Sequence, residues 1–361
     1  MTAPMVDAAR IRDTLEYYAD QGWTDGLPVV PVTESYLREF LALTDRDPDE
    51  VLLTMPHLNR GCTVALAAVN AAMAGCRPEY FPVVLAAWDA LAREPLPVRG
   101  IWQSTTGSAP LIVVNGPVRD RIGVNSAGNV FGPGFRANAT IGRAIRLAAI
   151  NVFGLHPHLL DQATQATFAK YSACIAENEE SSPWSPLHVE HGLEAGESAV
   201  AALTIRSCLH IEARHTQVPE HLARDITGTV ARTGALVHEF TSALVVLSPE
   251  HARVFATAGW SKDDLRHFIY ENAVHARAAL AAVGKDAVSR HTRWRLPADH
   301  PDAVPDQASA GPEPDMVPAL SSPGCVQFVV AGASNAGVSA VLDIFYTPRE
   351  VPLSVVKVIE L

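Results

Sequence analysis

The sequence predicts an α/β fold, a mixed sheet or sheets with packed helices, and three observations carry that expectation. Stretches with apolar residues at helical spacing alternate with short apolar runs such as Leu111-Ile-Val-Val and Ala243-Leu-Val-Val-Leu. The helical stretches open on capping residues and close on glycine. A long Pro-rich stretch precedes a last apolar run, so a loop leads into a C-terminal strand.

In chain order, residues 7–22 place Ala8, Ile11, Leu15 and Tyr18 on one helical face. Gly22-Trp-Thr-Asp-Gly-Leu-Pro then forces a turn into the apolar run 29–32, and Thr33 is an N-cap for a helix over 34–43. Residues 62–76 and 79–93 read as a helical pair split at Gly75-Cys76-Arg-Pro78, with the proline where a helix start does not need its N–H. Leu111-Ile-Val-Val-Asn-Gly is a buried strand. The Asn- and Gly-rich stretch 125–136 is a shaped loop leading into a helix over 137–153, which Gly154 stops. Strands are expected at 200–212, 243–248 and 326–331, and helix starts at Ser248-Pro-Glu and Ser261-Lys-Asp-Asp264, the latter with capping-box character. No internal repeat is visible. The expected organisation is a main α/β region over 1–295, a Pro/Asp/Ala-rich loop or linker over 296–323, and a C-terminal strand segment over 324–361 that completes the fold.

Composition excludes some functions. The chain has 361 residues, 48% hydrophobic, and a formal net charge of −11 with its 28 basic residues scattered, which speaks against nucleic acid as a partner. No apolar stretch approaches the roughly 20 residues that span a bilayer. Five widely spaced cysteines without a CxxC pair, and a start lacking a basic segment and apolar core, point to a reducing, cytoplasmic setting. A chain so rich in apolar residues is also compatible with a homo-oligomer.

The densest chemistry lies in Tyr171-Ser-Ala-Cys174-Ile-Ala-Glu177-Asn178-Glu179-Glu180-Ser-Ser-Pro-Trp-Ser-Pro-Leu-His188-Val-Glu190. Cys174 with His188 as its base makes a nucleophile; the three glutamates oppose that, since negative charge raises a thiol's pKa. The plain alternative is a small buried cysteine. Two close carboxylates can divide the roles of acid and base, or, with His188, hold a divalent metal, against the alternative of a solvated acidic turn. Trp184 between two prolines weighs against a purely solvated turn. Histidine pairs such as His156 with His158, or His188 with His191, match no ligand spacing that chance would not produce.

In the loop before the helix over 137–153, Asn125, Asn129, Arg136 and Asn138 are candidate ligands for an anionic substrate, Arg136 as a carboxylate clamp. Asp25, in a forced turn, either closes that turn or serves as an acid. Gly332-Ala-Ser-Asn-Ala-Gly337 has the outline of a phosphate loop but lacks its Lys and Ser/Thr, leaving a backbone nest for an oxyanion or an ordinary reversal as its readings.

Several long segments together carry a resemblance. Thr24-Asp-Gly-Leu-Pro-Val-Val-Pro, the stretch 68–84, Leu111-Ile-Val-Val-Asn-Gly-Pro, Gly134-Phe-Arg-Ala-Asn-Ala-Thr-Ile-Gly-Arg-Ala, the glutamate segment and Gly259-Trp-Ser-Lys resemble a largely uncharacterised bacterial family. Its members are often labelled thiol-disulfide oxidoreductase, and some occur with partners of the UGSC selenoprotein type. The resemblance implies that Cys76, Cys174, Glu177, Asn178, Glu179, Glu180, His188 and Arg136 belong to a shared pattern. The chain departs from it at Ala336-Gly337-Val338, where a Lys-His pair is usual, and around 60–66, where an acidic, lysine-containing stretch is usual.

The leading expectation is an enzyme acting on a small polar or carboxylate-bearing metabolite. Glu177, Glu179 and His188 would move protons, Cys174 or Cys76 would supply thiol chemistry, and Asn125, Asn129, Arg136, Asn138, Asn178, Glu180 and Asp25 would hold the substrate, in a lyase or redox-type step. The alternatives are a metal-dependent hydrolase or lyase with Glu177, Glu180 and His188 as ligands, and a non-catalytic scaffold or partner subunit. No motif specifies a cofactor.

Overall fold

The structure, a computed structural model, describes residues 8–94, 100–232, 241–283, 315–345 and 353–359. The chain divides into two compact units: Met1–Glu179, Ser185–Arg206 and Leu353–Leu361 form unit 1, while Glu180–Trp184 and Ser207–Pro352 form unit 2. Helices and a sheet of mixed parallel and antiparallel strands make it an α/β fold.

Unit 1 begins with α1 (Ala8–Asp20) and α2 (Glu34–Leu41), the latter capped by Thr33, whose hydroxyl accepts from the Tyr36 N–H. A hairpin of β1 (Val51–Met55) and β2 (Arg60–Thr63) follows, which the sequence did not announce. Thr63 caps α3 (Val64–Ala74), whose buried alanines 67, 68, 71 and 72 present small side chains to the core. A 3₁₀ turn at Pro78–Tyr80 feeds α4 (Phe81–Arg93). Then come β3 (Ala109–Asn115), the short α5 (Val118–Ile122), α6 (Arg136–Asn151), β4 (Cys174–Ala176) and the one-turn α7 (Leu187–Glu190). All seven residues of β3 are buried, as a strand covered on both faces requires. β3 pairs in parallel with β4 and antiparallel with β5 (Ala199–Glu212).

β5 contributes its first half to unit 1 and its second half to unit 2. Unit 2 continues with α8 (Pro219–Val230), β6 (Thr241–Leu247), α9 (Pro249–Thr257) and α10 (Lys262–Asn272). Both expected caps are present: Ser248 on α9, and a full capping box between Ser261 and Asp264 on α10. β7 (Val274–Ala276), α11 (Arg277–Ala281), β8 (Met316–Pro318), β9 (Val326–Val330) and β10 (Val338–Phe345) complete it. β6 pairs in parallel with β9 and antiparallel with β10. β11 (Val355–Lys357) returns to unit 1, antiparallel to β5.

Of the loop or linker expected at 296–323, residues 296–314 lie outside the described residues. Its remainder is not all loop, since Met316–Pro318 pairs with β7. A repeat also exists that the sequence hides. Unit 1 runs strand β3, helices, parallel neighbour β4, then antiparallel β5 on the far side of β3. Unit 2 runs β6, helices, parallel neighbour β9, then antiparallel β10 on the far side of β6. Each unit has its own apolar core, the first built around α3, α4 and α6, the second around Phe255, Leu265, Ile269 and Phe328. Among the described residues, no helix is long and apolar enough to cross a membrane.

Candidate active site

The ladder between β3 and β4 pairs Val114 with Ala176, and the Glu177 N–H continues it by donating to the Val114 carbonyl at 3.1 Å. Asn115 and Glu177 are therefore neighbours at the carboxyl ends of two parallel strands, where ligands of open α/β sheets bind. Strand alternation decides which groups share a face. Ile112, Val114, Cys174 and Ala176 belong to the helix-covered core of unit 1, so Asn115 and Glu177 turn the other way. The thiol and the carboxylate, three residues apart in sequence, stand on opposite faces.

Around Asn115 a polar cluster closes. Its Nδ2 donates to Glu177 Oε2 at 2.7 Å and to Glu179 Oε1 at 3.0 Å. Glu177 Oε2 also accepts from the Leu187 N–H at 2.8 Å, which ties α7 to the strand end. Glu179 Oε1 takes the Gly116 N–H at 2.7 Å and lies 3.3 Å from Arg119 Nε. Arg119 itself is held by the Gly116 and Glu177 carbonyls at 2.9 and 2.6 Å. Gly116 is obligatory: its φ is +78°, and a Cβ there would meet the Glu197 carbonyl oxygen at 2.0 Å. Ser198, at the head of β5, accepts from the Val118 N–H at 2.9 Å and anchors the start of α5.

His188 completes the cluster. Its ring is wholly buried, with Nδ1 3.9 Å from Glu179 Oε1, and neither ring nitrogen has a hydrogen-bond partner among the described residues. Asn115 Oδ1 is likewise buried and unpartnered. A buried polar atom without a partner costs about 1–3 kcal/mol, so three in one cluster need a reason. Two carboxylates beside an imidazole are groups from which acid–base chemistry is built, and Arg121 adds a second guanidinium nearby, its Nη2 3.5 Å from the Ser198 hydroxyl.

The expected thiols are placed differently. Cys76 is buried, which pushes its thiol up to about 12. Burial also drives Cys174 well above the ordinary thiol range, with Cys76 adding to it. Arg136 and Arg143 act to lower the Cys76 thiol, but burial outweighs them and disfavours the thiolate that would attack. In the loop before α6 the amides serve the loop itself. Asn125 Nδ2 donates to the Gly128 carbonyl and Asn129 Nδ2 to the Pro133 carbonyl, at 3.0 and 2.7 Å. Asn138 Oδ1 accepts from the Asn125 N–H at 2.8 Å, while its Nδ2 donates to the Asn125 and Cys174 carbonyls. Arg136 is exposed and commits only Nε, to the Gly75 carbonyl at 2.9 Å. Asp25 is a bidentate partner of Arg143, both oxygens at 2.8 Å, and its Oδ1 also closes the local turn onto the Leu27 N–H. Asn178 is half-buried and Glu180 exposed. Trp184 is accounted for within unit 2, where its indole N–H donates to the Trp260 carbonyl at 3.0 Å. Among the described residues, no three His, Cys, Asp or Glu side chains are grouped to hold a metal ion.

Sequence reasoning missed Asn115, Arg119 and Ser198. Asn115 had a readable signal, a polar residue ending a wholly apolar strand directly before Gly-Pro. Arg119 is buried, yet in sequence it is one of several charges in a short Arg- and Asp-rich turn. The comparisons with known proteins find no matching family model, no matching curated protein and no matching solved structure.

Proposed function

We propose that this chain is an enzyme that moves a proton on a small, polar, carboxylate-bearing metabolite, with Glu179 and His188 as its acid–base pair. The observation that supports this is the buried His188 ring, both nitrogens unpartnered, beside a carboxylate fixed by Asn115, Gly116 and Arg119. An imidazole used only for packing would hydrogen-bond at least one nitrogen; one that trades protons must keep a nitrogen ready. The chemistry favoured is a lyase-type step. One member of the pair takes a proton from carbon and the other delivers one to the departing group. Arg136, expected from the sequence to clamp the substrate carboxylate, instead gives its Nε to the Gly75 carbonyl at 2.9 Å and acts on Cys76.

A thiol redox step, the expectation attached to the family resemblance, has less support, because both thiols are buried and raised. All five cysteines are free, which suits a protein of a reducing cytoplasm.

The test is solvent exchange. The full chain is incubated in D₂O with a panel of small hydroxy, keto and amino acids while proton NMR follows loss of C–H signals or release of a product. Turnover in the wild type should fall by about 10²–10⁴-fold in E179Q and in H188Q, each verified as folded. Undiminished turnover in both variants, or loss in C174S alone, would overturn the assignment.

A further inference from the structure

We propose that unit 2 carries a second ligand site, for an acidic α-amino acid, in the cleft at the carboxyl ends of β6 and β9. The cleft has a volume of about 590 Å³ and is lined by Arg214, Thr216, Glu250, Arg253, Asn335 and Gly337, among others. That is the size of a small-molecule site. Its position repeats that of the acid cluster in unit 1. Glu250 follows β6, Asn335 and Gly337 follow β9, and Arg214 follows β5, so the cleft opens where a parallel pair ends.

The polar groups there are unevenly satisfied. Arg253 has no hydrogen-bond or ion-pair partner among the described residues. Arg214 makes only an open 3.3 Å pair with Glu212, both side chains more than half exposed, which contributes little. Glu250 Oε2 is out of reach of solvent and receives no donor among the described residues. Two guanidinium groups ask for two carboxylates, and a carboxylate oxygen without a donor asks for an ammonium. An acidic amino acid offers both.

The floor of the cleft is rigid. His251 donates from Nε2 to the Ala213 carbonyl at 3.3 Å and accepts the Ser339 hydroxyl at Nδ1 at 2.7 Å. A Cβ on Gly337 would meet His251 Nε2 at 2.6 Å, so the glycine loop lies flat against it. Both ring nitrogens are committed, and alanines 331 and 333 stand where unit 1 has Glu177 and Glu179. The site is therefore one for binding and not for proton transfer.

Calorimetric titration of the full chain with L-aspartate, L-glutamate and succinate tests this. At least one of the amino acids should bind at least about tenfold more tightly than succinate, which lacks the ammonium. R253Q, at an exposed position that leaves the fold intact, should weaken binding by about tenfold or more, and E250Q should erase the preference over succinate. E179Q and H188Q should bind as the wild type does, which separates this site from the acid–base pair of unit 1. The absence of binding by both amino acids, equal affinity for succinate, or unchanged affinity in R253Q would overturn it.

Discussion

In unit 1 the antiparallel strand returns with Ser198 accepting from the Val118 N–H at 2.9 Å; in unit 2 the corresponding strand returns with Ser339 accepting from the Ser248 N–H at 3.0 Å. The parallel pairs end alike as well. Glu177 N–H donates to the Val114 carbonyl and Ala331 N–H to the Leu247 carbonyl, at 3.1 and 3.0 Å. What differs is the filling. Unit 1 puts carboxylates, an amide, a guanidinium and an unpartnered imidazole at the strand ends, and unit 2 puts alanines there with a closed Ser339–His251 pair. The backbone arrangement belongs to the fold, whereas the two serine stitches fall at different positions: Ser339 takes the place of Val200, and Ser198 lies two residues before it. The charged groups buried at those strand ends are an addition of unit 1, since the charges of unit 2 line a cleft instead.

Exchanging the fillings should break the two units unequally. A331E places a carboxylate at a buried position at the carboxyl end of β9. The variant should lose about 4 kcal/mol or more and fail to give a cooperative urea transition. The reciprocal E177A strips the acceptor from Asn115 Nδ2 and the Leu187 N–H. Its expected cost is about 3 kcal/mol in urea unfolding. A loss below about 1 kcal/mol would mean that the acids of unit 1 are as dispensable to the fold as the alanines of unit 2 are adequate.

Much of the fold was readable because it rests on local rules. Thr33, Ser248 and Ser261 cap helices as their side chains dictate, and the apolar runs ending at Asn115 and Leu247 are strands. The repeat was not readable, since the two copies share a strand order and no residue pattern: Asn115 corresponds to Ser248 and Glu177 to Ala331. The site was half readable. Glu177, Glu179 and His188 do converge, because α7 is tied back onto the strand end through the Leu187 N–H. Cys174, their companion by sequence proximity and by the family resemblance, is turned to the opposite face by the two-residue period of a strand. Asn115 and Arg119 come from more than 55 residues upstream, joined only through the β3–β4 ladder, which no local pattern encodes.

The serine stitches allow a finer comparison. S339A removes the acceptor of the Ser248 N–H and the donor to His251, leaving two buried groups unpaired, for an expected cost of about 2 kcal/mol. S198A orphans the Val118 N–H and should cost about 1 kcal/mol. Hydrogen exchange at Ser248 and Val118 would read each locally. A larger loss in S198A than in S339A would place the more important stitch in unit 1.

The smallest effect is a dependence on pH confined to unit 2. Burial lowers the pKa of His251 below its ordinary 6.5. A carbonyl can only accept, so the bond to Ala213 puts the proton on Nε2 and leaves Nδ1 to receive the Ser339 hydroxyl; a second proton on Nδ1 destroys that bond. Below about pH 6.5 the unfolded chain takes up a proton that the folded chain resists, so stability is complete above that value and declines as pH falls toward the folded pKa. H251Q has no such proton to resist. The stability gap between wild type and H251Q, measured in urea at pH 7.5 and again at pH 5.5, should therefore narrow by about 1 kcal/mol. A gap that stays constant would show that protonation leaves the Ser339 contact intact, and that the imidazole of unit 2 is no more closed than that of unit 1.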